Sequence, residues 1–209
     1  ADPSMASKPG ERKTQILQTL AEMLEQPHAS RITTAALAAR LEVSEAALYR
    51  HFASKAQMFE GLIEFIETSI FTLVNQIAIA EPHGLTQAHQ TVSMLLTFSE
   101  RNKGMTRVLT GDALVTEDNR LQERINHIND RIEASLKQSL RIAVTDGGLP
   151  PQANVAAHAS LLTHLVLGRW LRYAQSGWRI APTLHLDEQL RLALRSEEHT
   201  SELQSRQYL

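Results

Sequence analysis

The side chains best suited to recognition chemistry cluster in the stretch VSEAALYRHFASK, at Ser44, Glu45, Tyr49, Arg50, His51 and Lys55. A serine ahead of a short apolar-spaced run is an N-cap, so Ser44 opens one helix and Ser54 the next. Small residues at Ala46 and Ala47 let such a helix settle into a major groove, where an alanine methyl meets a thymine methyl. Arg50 suits a guanine edge or a phosphate. Tyr49, His51 and Lys55 suit phosphates on either side, Lys55 from a helix N-terminus. This is the chemistry of binding a duplex rather than of catalysis.

Other chemistry is thinly provided. There is no cysteine, which removes disulfides, thiolate metal sites and a Cys nucleophile. The nine histidines contain no HExxH, and His158 and His164 lie about 240° apart around a helix. No P-loop, dinucleotide fingerprint or nucleophile elbow is present, and Gly111 in LTGDAL stands alone as a junction glycine. The expectation is a protein without enzymatic activity, metal or cofactor.

The elements that must carry the cluster are helices. Apolar residues make up 43 % and aromatic ones 5 % of 209 residues, with Ala and Leu abundant and Gly and Pro sparse. Ile16, Leu17, Leu20, Met23 and Leu24 mark a helix over 9–25, opened by Pro9 and ended by Pro27. Thr33 caps a short helix containing AALAARL, a turn follows at Leu41-Glu42-Val43, and the Ser44 helix runs to about 51. Leu37, Val43, Leu48 and Phe52 are spaced to fill the small core between them. A long helix over 55–80 carries Phe59, Leu62, Ile63, Ile66, Ile70, Leu73, Val74 and Ile77 on one stripe, with Phe65 well off it. Helices are predicted at 86–101, 104–110 and 114–144, the last with Leu121, Ile125, Ile128, Ile132, Leu136 and Leu140 at helical spacing. After the break at Gly147–Pro151, two more follow at 152–175 and 185–195. No segment alternates with period two. The predicted fold is all-α, a three-helix helix-turn-helix head at 1–53 on a helical body at 54–195. A polar tail fills 196–209.

Ala1-Asp2-Pro3-Ser4 precedes Met5, which reads as a natural start, so these four residues are expected to be foreign. No leader or uninterrupted apolar run of about 18 residues is seen, and an intracellular location is expected.

The segment from Thr33 to Lys55, with V-S-x-x-x-L-Y-x-H-F-x-S-K at its end, resembles the DNA-binding head of the TetR family. The resemblance implies an all-helical homodimer reading a palindrome, each head taking half, with the last two helices forming the dimer bundle. It adds Arg31, Thr33 and Thr34 to the residues expected at the DNA. The family usually has Gly where this chain has Glu42, and a non-Gly residue at positive φ costs about 1 kcal/mol. Through residue 60 Lys and Arg are matched in number by Asp and Glu, and the whole chain carries −2. DNA affinity must therefore come from local clustering at Arg31, Arg50, His51 and Lys55, and must fall steeply with salt.

A second run, FSERNKGMTRVLTGDAL followed by RLQERIN and RIEA, resembles the nucleoid-occlusion members of the TetR family. With S44-E-A-A-L-Y-R-H-F and L62-I-E-F-I-E67, this likeness extends from about Glu11 to Leu140. It implies a nucleoid-associated protein that, when bound to DNA, antagonises ring assembly by the tubulin-like division protein FtsZ. In that group the partner surface follows the groove between the fourth and fifth helices. Phe65, Arg101 and Asn102 match positions there; Leu73, Met94 and Thr97 replace the group's usual Arg, Leu and Gly. Each has a plainer account: Phe65 as packing, and Arg101-Asn102-Lys103-Gly104 as a helix C-cap before a tight turn. The alternative function is a transcriptional repressor released from DNA by a small-molecule ligand, with Met58, Met94, Phe98, Met105 and Trp170 as pocket candidates. A helical adaptor with a vestigial head is a third reading.

Overall fold

The computed structural model describes residues 8–26 and 31–194. The foreign start expected at 1–4, the stop at Pro27 and the tail at 196–209 lie outside them. The described residues form helices α1 (Pro9–Leu24), α2 (Thr34–Arg40), α3 (Glu45–Tyr49), α4 (Lys55–Ala80), α5 (Gly84–Arg101), α6 (Lys103–Leu109), α7 (Asn119–Thr145) and α8 (Val155–Gln175). A 3-10 turn spans Asp112–Leu114, residues 186–194 are helical, and no strand occurs among the described residues. The chain forms two compact units that do not follow chain order. One comprises Ala1–Thr68 with Asn102–Asn126, the other Ser69–Arg101 with His127–Leu209.

In the first unit α1 packs on α2 and α6, and α2 on α3. Ile16, Leu20 and Leu24 of α1, Leu37 of α2, Leu48 of α3, Phe52, and Met58, Phe59, Leu62, Ile63 and Ile66 of α4 are buried. Val43 is only half-buried, so the small head core rests on Leu37, Leu48 and Phe52. The turn between α2 and α3 is a Schellman motif. Val43 N–H donates to the Ala38 carbonyl at 3.0 Å and Glu42 N–H to Ala39 at 3.1 Å, with Glu42 at φ 56°. The glycine of the RNKG run is explained here too. Gly104 lies within α6, not in a turn, and a Cβ on it would collide with the Ala21 carbonyl of α1.

In the second unit Trp170 and Tyr173 of α8 are buried and tie it to α5. Trp170 Nε1 donates to the Leu95 carbonyl at 3.2 Å and the Tyr173 hydroxyl to the Glu100 carbonyl at 3.1 Å. The α7 residues Ile128, Ile132, Leu136 and Leu140 are buried as their spacing predicts, and Arg131 lies 3.7 Å from the centroid of the Phe71 ring. Of the predicted α4 stripe, Ile70 and Val74 are buried here, but Leu73 is exposed and Ile77 half-buried.

Two predicted boundaries shift. Residues 114–118 are not the start of α7, because Asp118 takes the N–H of Arg120 at 2.9 Å and begins the helix afresh at Asn119. The fifth helix starts earlier, at Gly84, whose N–H is held by Asp146 Oδ2 at 2.9 Å. Length and composition also carry α4 over the threshold of a membrane span, with mean hydropathy 1.4, although no uninterrupted apolar run suggested it. Its apolar stripe through Ile63, Ile66 and Ile70 is instead buried in the protein.

Candidate nucleic-acid interface

The recognition cluster is built by two caps. Thr33 Oγ1 accepts the N–H of Ala36 at 3.1 Å and starts α2; Ser44 Oγ accepts that of Ala47 at 3.2 Å and starts α3. Both satisfy amides a helix start leaves open, so these residues position the helices whatever else they touch. Between the two starts runs a surface network. Thr34 Oγ1 donates to Glu45 Oε2 at 2.9 Å, and the Tyr49 hydroxyl donates to Thr34 Oγ1 at 3.4 Å. The first turn of α2 and helix α3 are thereby held in register by polar groups the sequence singled out.

Around this network Arg31, Ala46 and Arg50 are exposed, Ala47 and His51 half-buried, and Tyr49 is 44 % exposed. Lys55 behaves differently. Its Nζ is 2.6 Å from Glu117 Oε1, and the two side chains are only 18 % and 8 % exposed. Spacing gave no sign of this pair, because the partners are 62 residues apart.

Arg107 was also missed by sequence reasoning. It is buried at 8 % exposure and donates to the Leu24 and Gln26 carbonyls at 3.2 and 3.0 Å, and to Asp112 at 2.7 Å. It closes the C-terminal end of α1, where carbonyls lack helical partners and a cation meets the negative end of the dipole. The helix start at α7 shows the converse arrangement: hydrogen bonds from the Arg120 guanidinium and backbone amide hold the Asp118 carboxyl down at about 2.

The residues expected to meet a protein partner are distributed as follows. On α4 Phe65 is 51 % exposed, and Leu73 is exposed as well. On α5 Met94 and Thr97 are half-buried and Arg101 is exposed. Asn102 is half-buried between α5 and α6, its carbonyl accepting the N–H of Thr106 at 2.9 Å.

Met58 and Trp170 are fully buried, and none of Met58, Met94, Phe98, Met105 and Trp170 lines the recess of about 530 Å³ beside Val74, Thr91 and Arg131. His158 is buried, with Nδ1 2.9 Å from the Asn154 carbonyl, whereas His164 is exposed and lies against the Ser160 carbonyl at 2.6 Å.

A capped helix-turn-helix head followed by an all-helical body is the architecture of a TetR-type DNA-binding regulator. Residues 16–62 match the family "Bacterial regulatory proteins, tetR family", and 83–197 match "Tetracyclin repressor-like, C-terminal domain". Among solved structures, the fatty acid degradation regulator FadR of Bacillus halodurans superposes with a TM-score of 0.73. It is 12 % identical, over 88 % of this chain and 98 % of that one. FadR of Bacillus subtilis, in complex with stearoyl-CoA, gives 0.69 at 13 % identity over 87 % and 97 %. These two share the fold alone. Within the class the chain belongs to the family of the nucleoid occlusion factor SlmA. It is 49 % identical to SlmA of Marinomonas sp. (strain MWYL1), over 85 % of this chain and 90 % of that protein. To SlmA of Idiomarina loihiensis it is 46 % identical, over 88 % and 94 %. The family is one of DNA-binding regulators, not of enzymes.

Proposed function

We propose that the chain works as a homodimer, its heads at 1–53 taking the two halves of a palindromic duplex and its body at 54–195 serving dimerisation and partner binding. In this reading the protein resides on the nucleoid in the cytoplasm and, when DNA-bound, antagonises FtsZ ring assembly over the chromosome. At the head, Glu45, Ala46, Ala47 and Arg50 face base edges. Arg31, Thr33, Thr34, Ser44, Tyr49, His51 and Lys55 serve the backbone, and phosphate contacts of this kind set register without reading sequence.

The observation that carries the FtsZ part is Phe65, a large aromatic left half exposed on α4 beside a continuous buried stripe. Such a side chain is a natural anchor for a partner. Leu73 on the same helix, Met94, Thr97 and Arg101 on α5, and Asn102 are the further contact candidates. The dimer part rests on α8 and the residues that follow it. Leu161, Leu171, Leu184 and Leu192 are exposed there, and nothing lies within 4 Å of the space a Cβ on Gly168 would fill. An isologous pairing of two copies covers such a face.

The test is sedimentation of FtsZ polymers with the protein, with and without a duplex bearing a palindrome selected in vitro by the wild-type chain. Loss of polymer in the presence of protein plus duplex, relieved by Phe65→Ala with DNA binding intact, is the expected outcome. Polymers unaffected by the DNA-bound wild type would sink the proposal.

A further inference from the structure

Lys55 is the first residue of α4, a helix of 26 residues, so its ammonium stands at the positive end of the helix dipole. A cation there is unfavourable unless an anion is close. The helix start is otherwise well made: Ser54 Oγ accepts the N–H of Gln57 at 3.2 Å, and Gln57 Oε1 accepts that of Ala53 at 3.1 Å. The anion beside Lys55 is Glu117, at 2.6 Å and nearly buried. Glu117 comes from the segment between the 3-10 turn and α7, its N–H bonded to the Leu114 carbonyl at 3.0 Å. The same carboxylate lines a recess of about 170 Å³ with Phe59, Arg31 and Arg107. Arg107 is committed to Asp112 and the end of α1, and the ion pair seen for Glu117 among the described residues is with Lys55. While that pairing lasts, Lys55 presents a neutralised pair, not a free positive charge, to an approaching phosphate.

We propose that Glu117 is a positioning residue that competes with DNA for Lys55. On binding, a backbone phosphate replaces the carboxylate at the start of α4, and the segment carrying Glu117 is released. Either anion satisfies the same need at the helix start, and the released carboxylate is compensated by water as its segment moves out. Linkage makes the effect reciprocal: whatever draws Glu117 away raises DNA affinity by the factor with which DNA loosens Glu117. The proposal rests on the reading of Lys55 as a phosphate contact.

The experiment is fluorescence anisotropy of a labelled duplex carrying the selected palindrome, across a series of salt concentrations, with Glu117→Gln, Lys55→Gln and the double variant. Circular dichroism melts establish that each folds. Glu117→Gln is expected to tighten binding on the order of fivefold at low salt. In the wild type the freed Glu117 carboxylate regains a screening cation on binding, so the gain of Glu117→Gln shrinks as salt rises and its dependence on salt is steeper than wild type. Lys55→Gln weakens binding and lowers the log–log salt slope by about 1.8, about 0.9 for each head of the dimer, and the double variant behaves as Lys55→Gln. If Glu117→Gln does not fold, Glu117→Asp, with its shorter reach, is expected to give a smaller tightening. Unchanged or weaker binding by these Glu117 variants, with Lys55→Gln still defective, overturns the competition. A Lys55→Gln variant that binds as wild type removes the underlying reading of Lys55 instead.

Discussion

Glu42 and Gly177 occupy the same place in two helix ends. Each is the left-handed residue of a Schellman motif, Glu42 at φ 56° after α2 and Gly177 at φ 62° after α8. The α8 motif is completed by Trp178, whose ring packs edge-on to Tyr173 at 4.9 Å. At α2 a glutamate bears the Cβ cost that glycine avoids. Replacing it tests that cost: Glu42→Gly is expected to stabilise the chain by about 0.5–1 kcal/mol in urea unfolding, the steric gain being reduced by glycine's larger unfolded-state entropy. This strain was legible beforehand, because a family turn that calls for Gly and a sequence that supplies Glu disagree visibly. The Lys55–Glu117 pair was not legible, since neither partner has a local reason to seek the other.

At the scale of the element, α6 shows how much a short helix can settle. Its boundaries were nearly right from spacing, but spacing revealed neither of its tertiary duties. Gly104 lets α6 approach the backbone of α1, and Arg107 satisfies carbonyls at the end of α1. Arg107→Leu leaves the Leu24 carbonyl buried without its charged donor and removes the bond to Gln26, and should cost about 2–4 kcal/mol in urea-monitored stability. An unchanged midpoint would mean that water replaces the guanidinium at no loss. The start of α7 illustrates the opposite limit. Apolar spacing alone cannot separate a helix from the turn before it, and the side chain of Asp118 decides the boundary.

At the scale of the molecule, Leu161, Leu171, Leu184 and Leu192, on α8 and beyond, are apolar side chains the single chain leaves exposed. Leu161 and Leu171 lie on a helix whose opposite side is anchored by Trp170 and Tyr173, so a charge placed on them spares the core. On the proposed dimer, Leu171→Glu is expected to leave a monomer in size-exclusion chromatography with light scattering. Its DNA affinity should fall with it, because a palindrome is held by two heads and a monomer engages one. A Leu171→Glu protein that remains dimeric would move the interface elsewhere.

The sequence by itself determined the helical class, the order of the helices, the caps at Thr33 and Ser44, and the helix-turn-helix motif of the head. All of these follow from local physics: apolar period, capping hydroxyls, and a motif whose residues are neighbours along the chain. Tertiary structure alone decided that Phe65 is exposed, that Gly104 must be glycine, and that Lys55 and Arg107 are engaged by groups far away in sequence. Those facts depend on which backbone or charge from a distant segment arrives beside a residue, and local spacing carries no record of it.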